Sequence, residues 1–314
     1  MELLGKYGRE DLAILYVAKN GEKIVEFVES LQPPIPREEK WVLVVSTMYG
    51  CPIGCLMCDA GEYYEGDLSK EDILEQIDFM VSKRFPNREI PIKKFKIQFA
   101  RMGEPSLNEE VLSVIEELTY KYNAPGLMPC ISTIGPKDSE GFMNKLITIK
   151  DKYYKNGRFQ LQFSIHSTNE EKRRKWMSKD IWTLEEIALF GEKWYKSGDR
   201  KITLNFAVAE DSEIDPDLMR KVFNPSKYWI KLTPLNPTTK VINNKLKTGI
   251  TEKNTDCFPL VQQFRKKGFN AEISIGEWEE NEIGTNCGQF ATKYKNGEVG
   301  IKDSYTTPEY RIID

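Results

Sequence analysis

Runs of β-branched and aromatic residues recur along this chain at 41–46, 94–100, 127–132, 159–165, 201–208, 228–233 and 269–275, with room for a helix between most of them. Such runs read as strands, and helices fit between them. Two helix starts are written into the intervening stretches. Ser69 with Asp72 precedes Ile73, Ile77, Met80 and Val81 at helical spacing, and Thr183 with Glu186 opens a second helix that stops at Ser197-Gly198. Strand and helix alternating in this way imply parallel pairing through right-handed crossovers. Five strands follow the one at Trp41 and reach Thr233, the count of an α/β partial (β/α)6 barrel. Functional groups in such sheets lie at the carboxyl ends of the strands.

The flanks differ. Residues 13–19 and 23–28 form a predicted β-hairpin turning at Asn20-Gly21, and Pro33-Pro34 marks a short linker. The expected organisation is an N-terminal hairpin extension at 1–36, the partial barrel at 37–240, and a C-terminal helix, strand and Cys287 loop at 241–314 that complete the barrel mouth.

After the first barrel strand stands Gly50-Cys51-Pro-Ile-Gly-Cys55-Leu-Met-Cys58, three thiols on one short loop. Iron-sulfur cubanes are normally held by four cysteine thiolates, so three leave one iron open to a ligand that is not protein. A zinc site would need a fourth protein ligand, and the only histidine, His166, lies far along the chain. A disulfide framework fits poorly with 6 cysteines in 314 residues and no recognisable signal peptide. The net charge of -3, from 45 basic and 48 acidic side chains, supplies no global field for nucleic acid. No apolar stretch approaches the roughly 18 residues that span a bilayer. A soluble, cytoplasmic protein is expected.

The CxxxCxxC spacing resembles that of the radical SAM enzymes. This resemblance implies a radical SAM barrel, a [4Fe-4S] cluster and S-adenosylmethionine as cofactors, and a 5'-deoxyadenosyl radical formed when an electron cleaves the sulfonium. Further segments narrow the likeness. Met102-Gly103-Glu104-Pro105 with Asn108, Ser132-Thr133, Ser164-Ile165-His166, Pro234 with Asn236-Pro237, and Asn286-Cys287-Gly288-Gln289 occur in an order similar to that of the RlmN and Cfr adenosine C-methyltransferases, over about residues 20 to 295.

Carried over residue by residue, the resemblance implies that Cys51, Cys55 and Cys58 hold the cluster. Gly103 and Glu104 would bind the amino end of S-adenosylmethionine, with Ser132, Ser164, His166 and Asn236 around its ribose and adenine. Cys287 would take a methyl group by polar displacement, lose a hydrogen atom to the adenosyl radical, and add as a methylene radical to an sp2 carbon. Glu29 is the candidate general base. The electron donor would be a flavodoxin or ferredoxin.

The sequence also departs from that pattern. Val44 occupies the position of the family's second, adduct-resolving cysteine, Met57 replaces an aromatic residue, and Arg101 replaces a glycine. Cys130 stands near the third strand's end as either a substitute thiol or a buried small residue, and Cys257 reads as packing. Lys172-Arg-Arg-Lys175 reads as a solvated helix face or a phosphate contact. The short N-terminal region makes the ribosome a poor candidate and favours a small-molecule or short nucleic-acid substrate. Two chemistries stay open: C-methylation through methyl-Cys287, or direct hydrogen abstraction from a small molecule with Cys287 as hydrogen donor or thiyl, giving rearrangement, desaturation or cyclisation. A non-catalytic redox sensor is a third.

Overall fold

Alternation of strand and helix governs the computed structural model, which describes residues 1–250, 259–298 and 310–312. Along the chain come β1 (Glu2–Arg9), β2 (Ala13–Asn20), β3 (Lys23–Ser30), β4 (Lys40–Val45), β5 (Met48–Gly50), β6 (Tyr64–Asp67), α1 (Lys70–Arg84), β7 (Lys94–Phe99), α2 (Glu110–Lys121) and β8 (Leu127–Thr133). There follow α3 (Glu140–Tyr153), β9 (Gln160–Ser164), α4 (Glu170–Trp176), α5 (Leu184–Trp194), β10 (Ile202–Val208), α6 (Pro216–Val222) and β11 (Tyr228–Pro234). The last described elements are α7 (Thr239–Asn243), α8 (Pro259–Lys266), β12 (Asn270–Ile273), α9 (Glu279–Ile283) and α10 (Phe290–Lys295). Two compact units divide them: Met1–Gly54 with Cys58–Ile131 and Gly276–Asp314, and Cys55–Met57 with Ser132–Ile275.

In the first unit β1, β2, β3 and β4 pair antiparallel in sequence order, then β4, β7 and β8 pair parallel. Strand β1 was not expected; its Gly5, Gly8 and charged residues weaken the alternation that marks a strand. The hairpin between β2 and β3 slips by one residue from its predicted turn. Asn20 pairs with Lys23, so Gly21-Glu22 form the two-residue turn, with Gly21 at φ +60° supplying the positive φ. The Asn20 side chain instead reaches the Tyr49 hydroxyl at 2.9 Å and Asp72 at 2.6 Å. Helix α1 begins at the expected capping box, Ser69 and Asp72 each bonding the other's backbone. A hydrophobic cluster of Tyr7, Leu15, Val28, Met102, Ile283 and Phe290 joins the N-terminal strands to α9 and α10, with Val44 packed against it.

In the second unit β9, β10, β11 and β12 pair parallel throughout. Helix α5 starts at the expected box of Thr183 and Glu186. Phe159, Phe163, Trp182, Phe190 and Trp194 build one aromatic core, with centroid spacings from 5.3 to 6.1 Å. Pairing is parallel among β4, β7 and β8 and among β9 to β12, which is the α/β class and the βα order expected of a partial barrel. The 241–314 segment lies partly outside the described residues, as does Cys257.

Candidate active site

In the first unit the cysteine loop leaves β4 through the short β5. Gly50, at φ +84°, passes so close to Tyr63 that a Cβ would lie 2.0 Å from its carbonyl, and the Cys51 amide donates to that same carbonyl at 2.9 Å. Gly61 and Gly54 touch backbone to backbone, since a Cβ on Gly61 would sit 2.6 Å from the Gly54 Cα. The loop therefore closes in a form that only glycine permits. Cys51 and Cys58 are half-buried. Burial, then the neighbouring Cys58 and the Glu104 carboxylate, push the Cys51 thiol up to about 12.

The loop after β7 carries Gly103 at φ +102°, where a Cβ would meet the Met48 side chain and the Thr47 hydroxyl, each at 2.7 Å. Glu104 is buried and caps the following turn, accepting from the Ser106 amide at 3.2 Å and its hydroxyl at 2.7 Å. Asn108 ties this loop to the cysteine side by donating to the Thr47 and Leu68 carbonyls at 2.8 and 2.9 Å.

Cys287 is exposed in the turn between α9 and α10. Arg101, immediately before Met102-Gly103, holds that turn. Its guanidinium donates to the carbonyls of Gly284, Thr285, Asn286 and Gly288, and pairs with the Glu26 carboxylate at 2.9 Å. Burial pushes the Glu26 carboxyl up, opposed by the Arg101 charge and the Ala291 and Phe290 amides.

Glu29, the base expected from the sequence, is placed differently. Its carboxylate accepts from Tyr16, Trp41, Arg37 and Arg84 at 2.5, 3.3, 3.1 and 2.8 Å. Burial raises it, but the bonds from Arg84 and Tyr16 and the charges of Arg84 and Arg37 outweigh that and hold it below the usual carboxylate range. With both oxygens engaged by cations it serves the packing of β3, β4 and α1. The carboxylate brought to the Cys287 turn is Glu26, three residues earlier.

In the second unit, Cys55–Met57 is held by its own neighbours. Leu56 donates to the Trp176 carbonyl and accepts from Asn244, and the Met57 carbonyl accepts from Thr238. Ser132, Ser164, His166 and Asn236 lie at or just beyond the carboxyl ends of β8, β9 and β11. The Ser132 hydroxyl accepts from Gln162 at 3.4 Å. His166 adopts φ +64°, and its Nδ1 accepts the Ala207 amide at 2.9 Å. Burial, then the Arg173 charge, lower the imidazole to about 4, so the ring is neutral with its proton on Nε2.

Asn205 went unnoticed in the sequence. It pairs in register with Ser164, is buried, and its Oδ1 has no hydrogen-bond partner among the described residues. An asparagine amid Ile-Thr-Leu-Asn-Phe-Ala-Val was the available signal. Three members of the basic run on α4 have partners within the chain, while Lys175 is exposed. Lys172 pairs with Asp211 at 2.8 Å, Arg173 is buried against Glu170, and Arg174 donates to the Lys179 carbonyl. Cys130 is buried opposite Gln98, as a packing residue is.

No family model matches the chain. It is 26% identical over 258 residues to ribosomal RNA large subunit methyltransferase N of Nitrosopumilus maritimus, covering 80% of this chain and 68% of that one. It is 27% identical over 276 residues to a probable dual-specificity RNA methyltransferase RlmN of Chlorobaculum tepidum, covering 85% and 68%. Among solved structures, a radical SAM methyltransferase from Sphaerobacter thermophilus superposes with a TM-score of 0.70 at 17% identity, covering 92% of this chain and 81% of the other. That likeness establishes the fold as the partial radical SAM barrel.

The relatives are named as RNA methyltransferases and the structural neighbour as a radical SAM methyltransferase, so in sequence and fold the chain is similar to radical SAM methyltransferases, a class that works with a [4Fe-4S] cluster and S-adenosylmethionine. Within that class the chain is RlmN/Cfr-like. Cys51, Cys55 and Cys58 are each half-buried, and thiolates are the ligands iron-sulfur clusters take, although among the described residues no three His, Cys, Asp or Glu side chains are gathered as a metal site; Gly103 is bare backbone where a side chain has no room. Among the described residues no helix is long and apolar enough to cross a membrane.

Proposed function

We propose that the chain is a C-methyltransferase acting through a methylated Cys287 on an sp2 carbon of an RNA base. The single observation that carries this reading is the exposed Cys287, held by Arg101 on the loop that also bears Gly103 and Glu104. In the proposal Cys51, Cys55 and Cys58 hold the cluster. Glu104 and the bare backbone of Gly103 receive the amino end of S-adenosylmethionine, and Ser132, Ser164, His166 and Asn236 serve its ribose and adenine. Bound together, cluster and cosubstrate supply a 5'-deoxyadenosyl radical once reduced by a flavodoxin or ferredoxin. The cytoplasm, where thiols stay reduced, suits such a protein.

The chain's own contribution begins with the Cys287 thiolate, a good nucleophile toward a sulfonium methyl. Its Sγ–CH3 bond forms as the sulfonium bond breaks and S-adenosylhomocysteine leaves. The S-methyl would then give up a hydrogen atom to the 5'-deoxyadenosyl radical, giving 5'-deoxyadenosine, and its carbon would bond the base carbon, from which one electron and the C–H proton must then depart. Val44 at the family's resolving position cannot complete a disulfide, so release needs another thiol. The expectation of a non-ribosomal substrate finds no support in the relatives, which are named as RNA methyltransferases, and RNA is the class taken here.

Anaerobic reconstitution with iron, sulfide and S-adenosylmethionine, followed by mass spectrometry of the Cys287 peptide, tests the reading. The expected result is a mass gain of one methylene, absent in Cys287→Ala, and transfer of labelled methyl to large-subunit ribosomal RNA or transfer RNA. An unmodified peptide with 5'-deoxyadenosine still formed would overturn it in favour of direct hydrogen abstraction. Absence of 5'-deoxyadenosine would point to a redox sensor.

A further inference from the structure

The Cys287 turn is fixed on both sides of the thiol by one side chain that lies 183 to 187 residues away in sequence. Arg101 Nη2 donates to the Gly284 and Gly288 carbonyls at 2.6 and 2.7 Å, and Nη1 to those of Thr285 and Asn286 at 3.1 and 3.4 Å. Its Nε donates to Glu26 at 3.1 Å. The other Glu26 oxygen accepts the Ala291 amide at 3.1 Å, and the Gln289 amide group returns to the Arg101 carbonyl at 3.4 Å. Residues 284, 285, 286, 288, 289 and 291 are thus all tied to this pair, while Cys287 between them is exposed.

Both partners are buried, with 1% and 0% of their side chains exposed, so the fork is neither hydrated nor free to swing. A guanidinium is suited to this work: it is planar, always charged, and presents five donors in fixed directions, whereas an ammonium has three on a flexible stem. The backbone of Arg101 runs on directly into Gly103-Glu104, so the thiol's position is referred to that segment through two rigid covalent steps and one clamp.

We propose that Arg101 is a positioning residue for Cys287, its guanidinium setting where the thiol stands relative to the Gly103-Glu104 segment. This rests on the proposed role of Cys287 as methyl acceptor. Displacement at a sulfonium carbon demands near-linear approach, and a misplacement of about 1 Å costs on the order of a hundredfold in rate.

The test compares wild type with Arg101→Lys, Arg101→Gln, and the double variant Arg101→Gln with Glu26→Gln, which leaves no lone buried charge and keeps a folded protein available. Three quantities are read on anaerobically reconstituted protein: Cys287 methylation rate per iron, iodoacetamide alkylation rate of Cys287, and amide exchange across 284–291. The expected result is a loss of at least about tenfold in methylation rate, with the Lys variant between wild type and Gln, a changed alkylation rate, and faster exchange. Faster exchange with methylation within about twofold of wild type would overturn the proposal, since a merely structural arginine would do that. If wild-type Cys287 is never methylated, the proposed function fails first. The clamp is then judged on alkylation and exchange, and unchanged values in both overturn it.

Discussion

His166 accepts the backbone amide of Ala207 on its Nδ1 at 2.9 Å, which fixes the tautomer of the chain's only histidine. The remaining nitrogen, Nε2, is then a permanent donor. Nitrogen NMR of this single imidazole should show the Nε2–H form and no protonation until about pH 4, against the ordinary 6.5. Because the folded value is depressed, the contribution to stability is complete above pH 6.5 and disappears as pH falls toward 4. A titration midpoint near 6.5 would refute the assignment.

Glu280 works with the opposite sign. Burial, against a hydrogen bond from Ser30, raises its carboxyl to about 7 from 4.5. The folded state keeps a proton that the unfolded chain has lost, so stability falls as pH rises from 4.5 to about 7, by up to about 1.4 kcal/mol per unit. Denaturant unfolding of Glu280→Gln should lack this slope and be more stable than wild type at pH 8.

Removal of one partner from the buried Glu26–Arg101 pair strands a charge. Glu26→Gln should lower unfolding free energy by about 3–5 kcal/mol. Glu39→Gln, which breaks an exposed pair with Lys93, should cost less than about 1 kcal/mol. Equal losses in the two would show that the buried pair is not specially coupled.

Gly103→Ala places a methyl group where Met48 and Thr47 already stand, at a φ of +102°. About 2 kcal/mol or more of stability should be lost. Calorimetric titration with S-adenosylmethionine should show weakened binding. Tight binding by the variant would remove Gly103 from the cosubstrate site.

Cys55→Ala should leave the colourless apoprotein folded, because Cys55 is half-buried and its loop is held through backbone bonds at Leu56 and Met57. Iron retention and S-adenosylmethionine cleavage should both disappear. Retained brown colour and turnover would exclude the triad as the cluster site.

Much of the fold was open to reading because its signals are local. Capping boxes at Ser69 and Thr183 are satisfied by residues three positions away, and the apolar runs mark the parallel strands by their own composition. The turn at Gly21-Glu22 slipped because Asn20 was drawn off by Tyr49 and Asp72, partners far along the chain. The surroundings of Glu29 were hidden for the same reason: nothing near it in sequence reveals the convergence of Arg84, Arg37, Tyr16 and Trp41 on its carboxylate.

The order of residues alone determined the three-thiol loop, the strand ends that carry polar groups, and the class of chemistry these permit, since spacing along a backbone is a covalent property. Which carboxylate meets the Cys287 turn, which nitrogen of His166 bears the proton, and how Arg101 is used were decided only on folding. Burial makes every charge and every N–H seek a partner, and those partners come from segments that the sequence keeps far apart.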